Sequence, residues 1–182
     1  MVFLDLEQHL VFYGTYHTHP KNVLIHIIFV PVLMFTLMSI LANIPLSTSN
    51  VYLNASTLLS SIYAVLYILM EPVAGSLLAP YVVAQSLVGT YCVQRWDGGF
   101  NRLAAAVQVI SWISQFVGHG VFERRAPALL DNLVQALFLA PLFVWLEVLF
   151  MLGYRPELKS RMEAKVRVAR ARLDAKKAGK ES

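Results

Sequence analysis

The sequence predicts an all-α protein: a polytopic transmembrane helical bundle preceded by a short N-terminal amphipathic segment and followed by a basic C-terminal tail. Three observations lead there. Hydrophobic residues make up 57% of the 182 residues and charged ones only 14%, a balance for which lipid rather than water is the matching solvent. The apolar residues gather into runs of about 20, the length a helix needs to cross a hydrocarbon core of about 30 Å. Charge is unevenly placed, with ten Lys/Arg against four Asp/Glu in Arg155–Ser182 and five against seven in the remainder.

Leu4 to Tyr16 forms the amphipathic segment, and His17-Thr18-His19-Pro20 ends it, because proline cannot continue a helix without losing a hydrogen bond. Val23 to Leu46 is uncharged and long enough to span, with His26 inside it and Pro31 as an expected kink. Ser47 to Thr57 reads as a loop. Counted from Val51, the next run spans as far as Met70 and stops at Glu71-Pro72. Val73 to Val93 carries Gly75, Pro80 and Gly89, which membrane helices tolerate. Gln94 to Gly99 reads as a loop with Trp96 at headgroup level. Leu103 to Phe122 has one polar stripe, and Leu129 to Tyr154 is again long and apolar, interrupted by Asp131, Asn132, Pro141 and Glu147. The expected total is about five membrane helices. Residues 1–158 form the embedded domain and 159–182 a basic tail, placed in the cytosol by the positive-inside rule, against anionic lipid or partly disordered.

Composition excludes several function classes. Cys92 is the one cysteine, so neither a disulfide framework nor a CxxC metal site is available. The tail has no aromatic after Tyr154 to stack on a base, so no nucleic-acid partner is expected. A P-loop, a dinucleotide fingerprint and HExxH are all absent. The N-terminus has early acidic residues and no basic region, so a cleaved signal peptide is not expected. The spans themselves would direct insertion, by default into the endoplasmic reticulum.

The histidines carry the remaining chemistry. A buried ionisable residue in a span needs a partner, which for His26 is either a neighbouring helix or a metal. His119 and Glu123 stand four apart, one turn from each other on an α-helical face, and Gln115 lies a turn further back. The two share one ion, or the stripe is an interhelical hydrogen-bond seam. On one straight helix His17 and His26 would point to opposite sides about 13 Å apart. The turn at Pro20 lets them converge, with Asn22 as an N-cap or orienting group. His9 and His19 read as surface residues. Several histidines with at most one carboxylate and open positions suit non-haem ferrous iron, although imidazole also suits zinc, copper and nickel.

His17-Thr-His-Pro20-Lys-Asn22-Val-Leu-Ile-His26 fits H-x-x-P-x-N-x-x-x-H, and Gln115 to Ala128 fits Q-x-x-G-H-x-x-F-E-x-x-x-P-A. Together with Asp131-Asn132-Leu-Val-Gln135 and Ala140-Pro141, these motifs resemble the fungal endoplasmic-reticulum 2-hydroxy fatty acid dioxygenase family, which acts in phytosphingosine degradation. The resemblance runs from Leu4 to Leu158. It implies a multi-pass endoplasmic-reticulum membrane enzyme that uses Fe2+ and O2 to shorten a 2-hydroxy long-chain fatty acid by one carbon, with membrane lipid as its surroundings. The substrate's carboxylate and hydroxyl suit chelation, and its alkyl tail suits apolar helices. The ligand role falls on His17, His26 and His119, with Glu123 as a fourth, and Lys21, Arg124 and Arg125 become candidates for the substrate carboxylate. Removal of everything after Leu158 is expected to leave activity largely intact. The competing readings are a non-catalytic lipid-binding or scaffolding protein with structural histidines, and a haem protein with two axial histidines.

Overall fold

The computed structural model of the chain describes residues 5–127 and 133–178. Leu4, Ala128, Asp131 and Asn132, named above, lie outside them, as does the start of the last apolar run at Leu129. Six α-helices and one π-helical turn follow in order: α1 (Leu6–Tyr16), α2 (Pro20–Leu41), α3 (Ala55–Met70), α4 (Pro72–Val117), the π turn (Gly118–Glu123), α5 (Leu133–Met151) and α6 (Pro156–Ala178). Among the described residues there is no β-strand, only an isolated bridge between Pro45 and Asn54.

Local chemistry sets the helix ends. Asp5 caps α1 by accepting from the Gln8 amide at 3.0 Å. His19 rather than Asn22 is the N-cap of α2, with Pro20 at the first helical position, where its missing N–H costs nothing. Asn54 caps α3 and reaches across to Thr90 Oγ1 at 3.0 Å, beside a Ser56–Ser86 bond of 2.8 Å, so a polar seam joins α3 to α4. Glu71 breaks the chain between α3 and α4 and caps α4. Its carboxylate also accepts from Tyr154 Oη at 3.0 Å and Arg155 Nη1 at 3.1 Å. Gly153, at φ +86°, turns the chain out of α5, and α6 leaves at 117° to it.

The segment Gln94–Gly99, expected as a loop, is helical, yet the chain does reverse there. Gln85 bonds Pro31 O and Gly89 abuts Ser39, so the first arm of α4 ascends beside α2. Asn101 then meets Asn43, Gln108 meets Thr36 and Gly118 meets Asn22, so the second arm descends. Gly98 and Gly99, weak helix formers, lie between the arms.

The expected count of five membrane helices is corrected. Among the described residues, two helices, Pro20–Leu41 and Pro72–Trp96, are long and apolar enough to cross a membrane, or up to three if the bent pair Ala136–Met151 and Pro156–Ala175 is one span. At 16 residues α3 is only about 24 Å long. Outward faces are apolar nonetheless, with Ile28 on α2, Leu58 and Leu69 on α3, Leu77 on α4 and Ile113 on its descending arm all exposed, the inverse of a water-soluble surface.

The core gathers Met38, Tyr67, Leu142, Phe143 and Leu146, all fully buried. Tyr63 and Tyr67 donate to Leu137 O and Phe138 O, and Trp145 donates to Ala74 O, tying α5 to α3 and α4. Leu158, Met162 and Val166 of α6 belong to this same core. The first turns of α6 therefore pack on the body instead of lying apart on a membrane surface. Gly14 of α1 makes the room, since a Cβ there would fall 2.7 Å from Val166 Cγ2.

Candidate metal centre

His17 ends α1, His26 lies on the second turn of α2 and His119 sits on the π turn. The break at His17-Thr18-His19 folds α2 back, and the descending arm of α4 delivers His119 between the other two. The three rings meet edge-on, with centroids 4.3 Å (His17–His26), 4.8 Å (His17–His119) and 4.9 Å (His26–His119) apart. One imidazole nitrogen from each lies within 4.8 Å of the other two. An ion bonded at about 2.1 Å spans nitrogens roughly 3–4 Å apart, so small ring rotations complete the set.

The second ring nitrogens are fixed by the backbone. His17 Nδ1–H donates to Tyr13 O at 2.8 Å and His26 Nδ1–H donates to Asn22 O at 2.9 Å, each to the carbonyl one helical turn earlier. This holds both rings in the tautomer whose Nε2 is free to ligate. The Tyr13 ring stacks on His17 at 3.9 Å. Buried polar atoms without a partner collect here: His17 Nε2, His119 Nδ1, Gln115 Nε2 and Tyr13 Oη. Each such atom costs about 1–3 kcal/mol unless something binds it. Burial drives the His17 imidazole well below its ordinary pKa, helped by the neighbouring His26 and His119. It lowers that of His119 to about 4, against a smaller opposing pull from Glu123. Both rings are neutral at pH 7, the protonation state in which imidazole ligates. Buried neutral nitrogens converging without partners fit a soft-to-borderline cation such as ferrous iron.

Glu123, expected as a fourth ligand, is not in the converging group. Its oxygens accept from Thr18 N (2.7 Å), Thr18 Oγ1 (2.8 Å), His19 N (2.7 Å), Asn22 Nδ2 (3.3 Å) and Arg170 Nη1 (3.0 Å). Burial pushes this carboxyl's pKa up, but the bonds from His19, Thr18 and Arg170 together bring it below the ordinary value. Glu123 thus clamps the α1–α2 turn that positions His17 against His26. Asn22, fully buried, helps by donating to Tyr16 O at 3.3 Å. A Cβ at Gly118 would fall 2.4 Å from Asn22 Oδ1. Gly118→Ala is therefore expected to destabilise the protein by about 1–3 kcal/mol through overpacking, read as a lowered melting temperature in detergent.

The expected carboxylate-binding cations lie elsewhere. Lys21 is exposed, 5.5 Å above the Phe122 ring, Arg124 is exposed in the left-handed region, and Arg125 pairs with Asp174 of α6. None lines the cavity beside the histidines. His19 is half-buried as a cap, and His9 is buried rather than superficial. Arg170 escaped the sequence reading. Its signal was the spacing Leu158, Met162, Val166, Arg170, one stripe of a helix at every fourth residue.

Beside the triad opens an apolar cavity with about 970 Å³ of empty space, part of it open to the surroundings. Its walls come from α1, α2, the descending arm of α4 and α5, and Gln115 and Gln108 are its main polar groups apart from the histidines.

Residues 3–152 match the family model described as 2-hydroxy-palmitic acid dioxygenase Mpo1-like. The chain is 40% identical over 170 residues to the 2-hydroxy-palmitic acid dioxygenase MPO1 of Saccharomyces cerevisiae, covering 93% of this chain and 94% of the yeast protein. No solved structure matches.

Proposed function

Because the chain belongs to the Mpo1-like family of 2-hydroxy-palmitic acid dioxygenases, we propose that it is an iron(II)-dependent dioxygenase that shortens 2-hydroxy long-chain fatty acids by one carbon. The observation that carries the reading is the convergence of three buried imidazoles beside an apolar cavity. His17, His26 and His119 would hold the metal. Ferrous iron, when bound, supplies the one-electron and O2 chemistry that amino-acid side chains lack.

The chain's own residues supply the rest. Tyr13 O and Asn22 O hold the rings of His17 and His26 in their ligating tautomer. Three neutral ligands leave a divalent charge uncompensated, which favours an anionic chelating substrate such as a 2-hydroxy carboxylate. The Gln115 amide, its Nε2 unpartnered and on the cavity wall, is the donor that orients a substrate oxygen. The apolar walls take the alkyl chain and exclude water. In the cell we place the enzyme in the endoplasmic-reticulum membrane, with α6 on the cytosolic side by its basic charge, in the sphingoid-base degradation suggested by the family resemblance.

The test is aerobic incubation of purified protein with a 2-hydroxy C16 acid, followed by product mass. The expected product is the acid one carbon shorter, and a ferrous chelator should suppress its formation by at least about tenfold, restored by added Fe2+. Unchanged turnover with the chelator present would refute the iron assignment.

A further inference from the structure

The cavity does not stop at the metal centre; it runs along the helices that build it. On α2 it is lined by His26, Val30, Leu33 and Leu37, and on the descending arm of α4 by His119, Trp112 and Gln108. From His26 to Leu37 and from His119 to Gln108 the chain advances equally, eleven residues or about 16 Å on each wall. Because the two segments are antiparallel, both walls begin at the triad and end at the same level. There the Gln108 amide donates to Thr36 Oγ1 and Leu33 O, stitching α2 to α4 beside Leu37.

We infer that this cavity is a chain-length ruler, with the triad as its zero and Leu37 beside the Thr36–Gln108 stitch as its stop. The inference rests on the dioxygenase reading for what sits at the triad. With carbon–carbon bonds of about 1.5 Å, an extended alkyl chain advances about 1.25 Å per carbon, so a 16 Å wall accommodates about 13 carbons. A sixteen-carbon acid carries fourteen beyond the two at its reacting end, which fits to within about one carbon. The substrate class selected is a 2-hydroxy acid of about sixteen carbons. Longer chains meet the stop, and shorter ones leave apolar wall uncovered at roughly 0.8 kcal/mol per missing methylene.

The side chains grade the stop. Met34, also on the cavity wall, lies one turn nearer the triad than Leu37. Leu37→Trp should shift the preferred length down by about two carbons, Met34→Trp by about five, and Leu37→Ala up by about two. In Leu37→Trp the kcat/KM ratio of the sixteen- to the twelve-carbon acid should fall at least about tenfold.

The experiment measures both turnover and equilibrium binding of 2-hydroxy acids from ten to twenty carbons with the full-length wild type and the three variants. A graded shift in the predicted order supports the ruler. An unchanged optimum across all three variants, with the acids still bound, overturns it. Binding that follows the predicted length order without any conversion by the wild type would support the ruler and remove the dioxygenase reading instead. Loss of binding at every length in the tryptophan variants leaves Leu37→Ala to decide, since a cavity-enlarging change that fails to admit the longer acids also overturns the inference.

Discussion

His26→Ala and His119→Ala are each expected to reduce conversion of a 2-hydroxy C16 acid by more than about 100-fold, the upper figure for loss of a group that merely supports a ligand. His17→Ala should do the same. The argument is geometric: the three nitrogens lie within 4.8 Å of one another, and with one removed, two neutral imidazoles are left to hold a divalent ion. The ring hydrogen bonds lost in the His17 and His26 variants run only to backbone carbonyls one turn earlier, so insertion and folding should persist. Turnover retained in any two of the variants, with the protein inserted, would contradict the ligand set.

Arg170→Met is expected to lower metal affinity by about 10–100-fold, although Arg170 lies beyond the segment that the family model matches. The guanidinium donates to Glu123 Oε2 at 3.0 Å and to Thr15 O at 2.9 Å, and its loss leaves a buried carboxylate without its cation. That carboxylate holds Thr18 and His19 in place, so the effect reaches His17 through the turn. Arg170→Lys, which keeps the charge, should recover part of the affinity, whereas Arg167→Met, on the exposed side of α6, should leave it unchanged. Truncation after Leu158 removes Met162, Val166 and Arg170 together, so it should abolish activity, the reverse of what the polar sequence of the tail led us to expect. An active, metal-loaded truncation would show that α6 is dispensable.

These two predictions divide along what the sequence made legible. The helical membrane class followed from composition, and the convergence of His17 on His26 followed from Pro20, because a proline break is a local event. The partnership of those residues with His119 was carried by motif resemblance, and the geometry agrees with it. Glu123 was read as a ligand from its one-turn spacing to His119, which carries no sign that Thr18, His19, Asn22 and Arg170 all donate to its carboxylate. Arg170 was missed because its partner is 47 residues away and its helix has charged residues on most faces. The span count ran high because apolar runs such as Ala55–Met70 are long enough to look membranous and too short as helices to cross. The reversal of α4 around Gly98-Gly99 was legible as a break, though not as one that keeps its helical hydrogen bonding.

The most direct test is the metal content of purified protein, wild type and the three single histidine-to-alanine variants, measured by elemental analysis after loading with Fe2+ and removal of excess. The account predicts about one iron per wild-type chain and near-complete loss in each variant. Wild-type protein that converts the 2-hydroxy acid while holding no metal, or variants that keep their full complement, would contradict it.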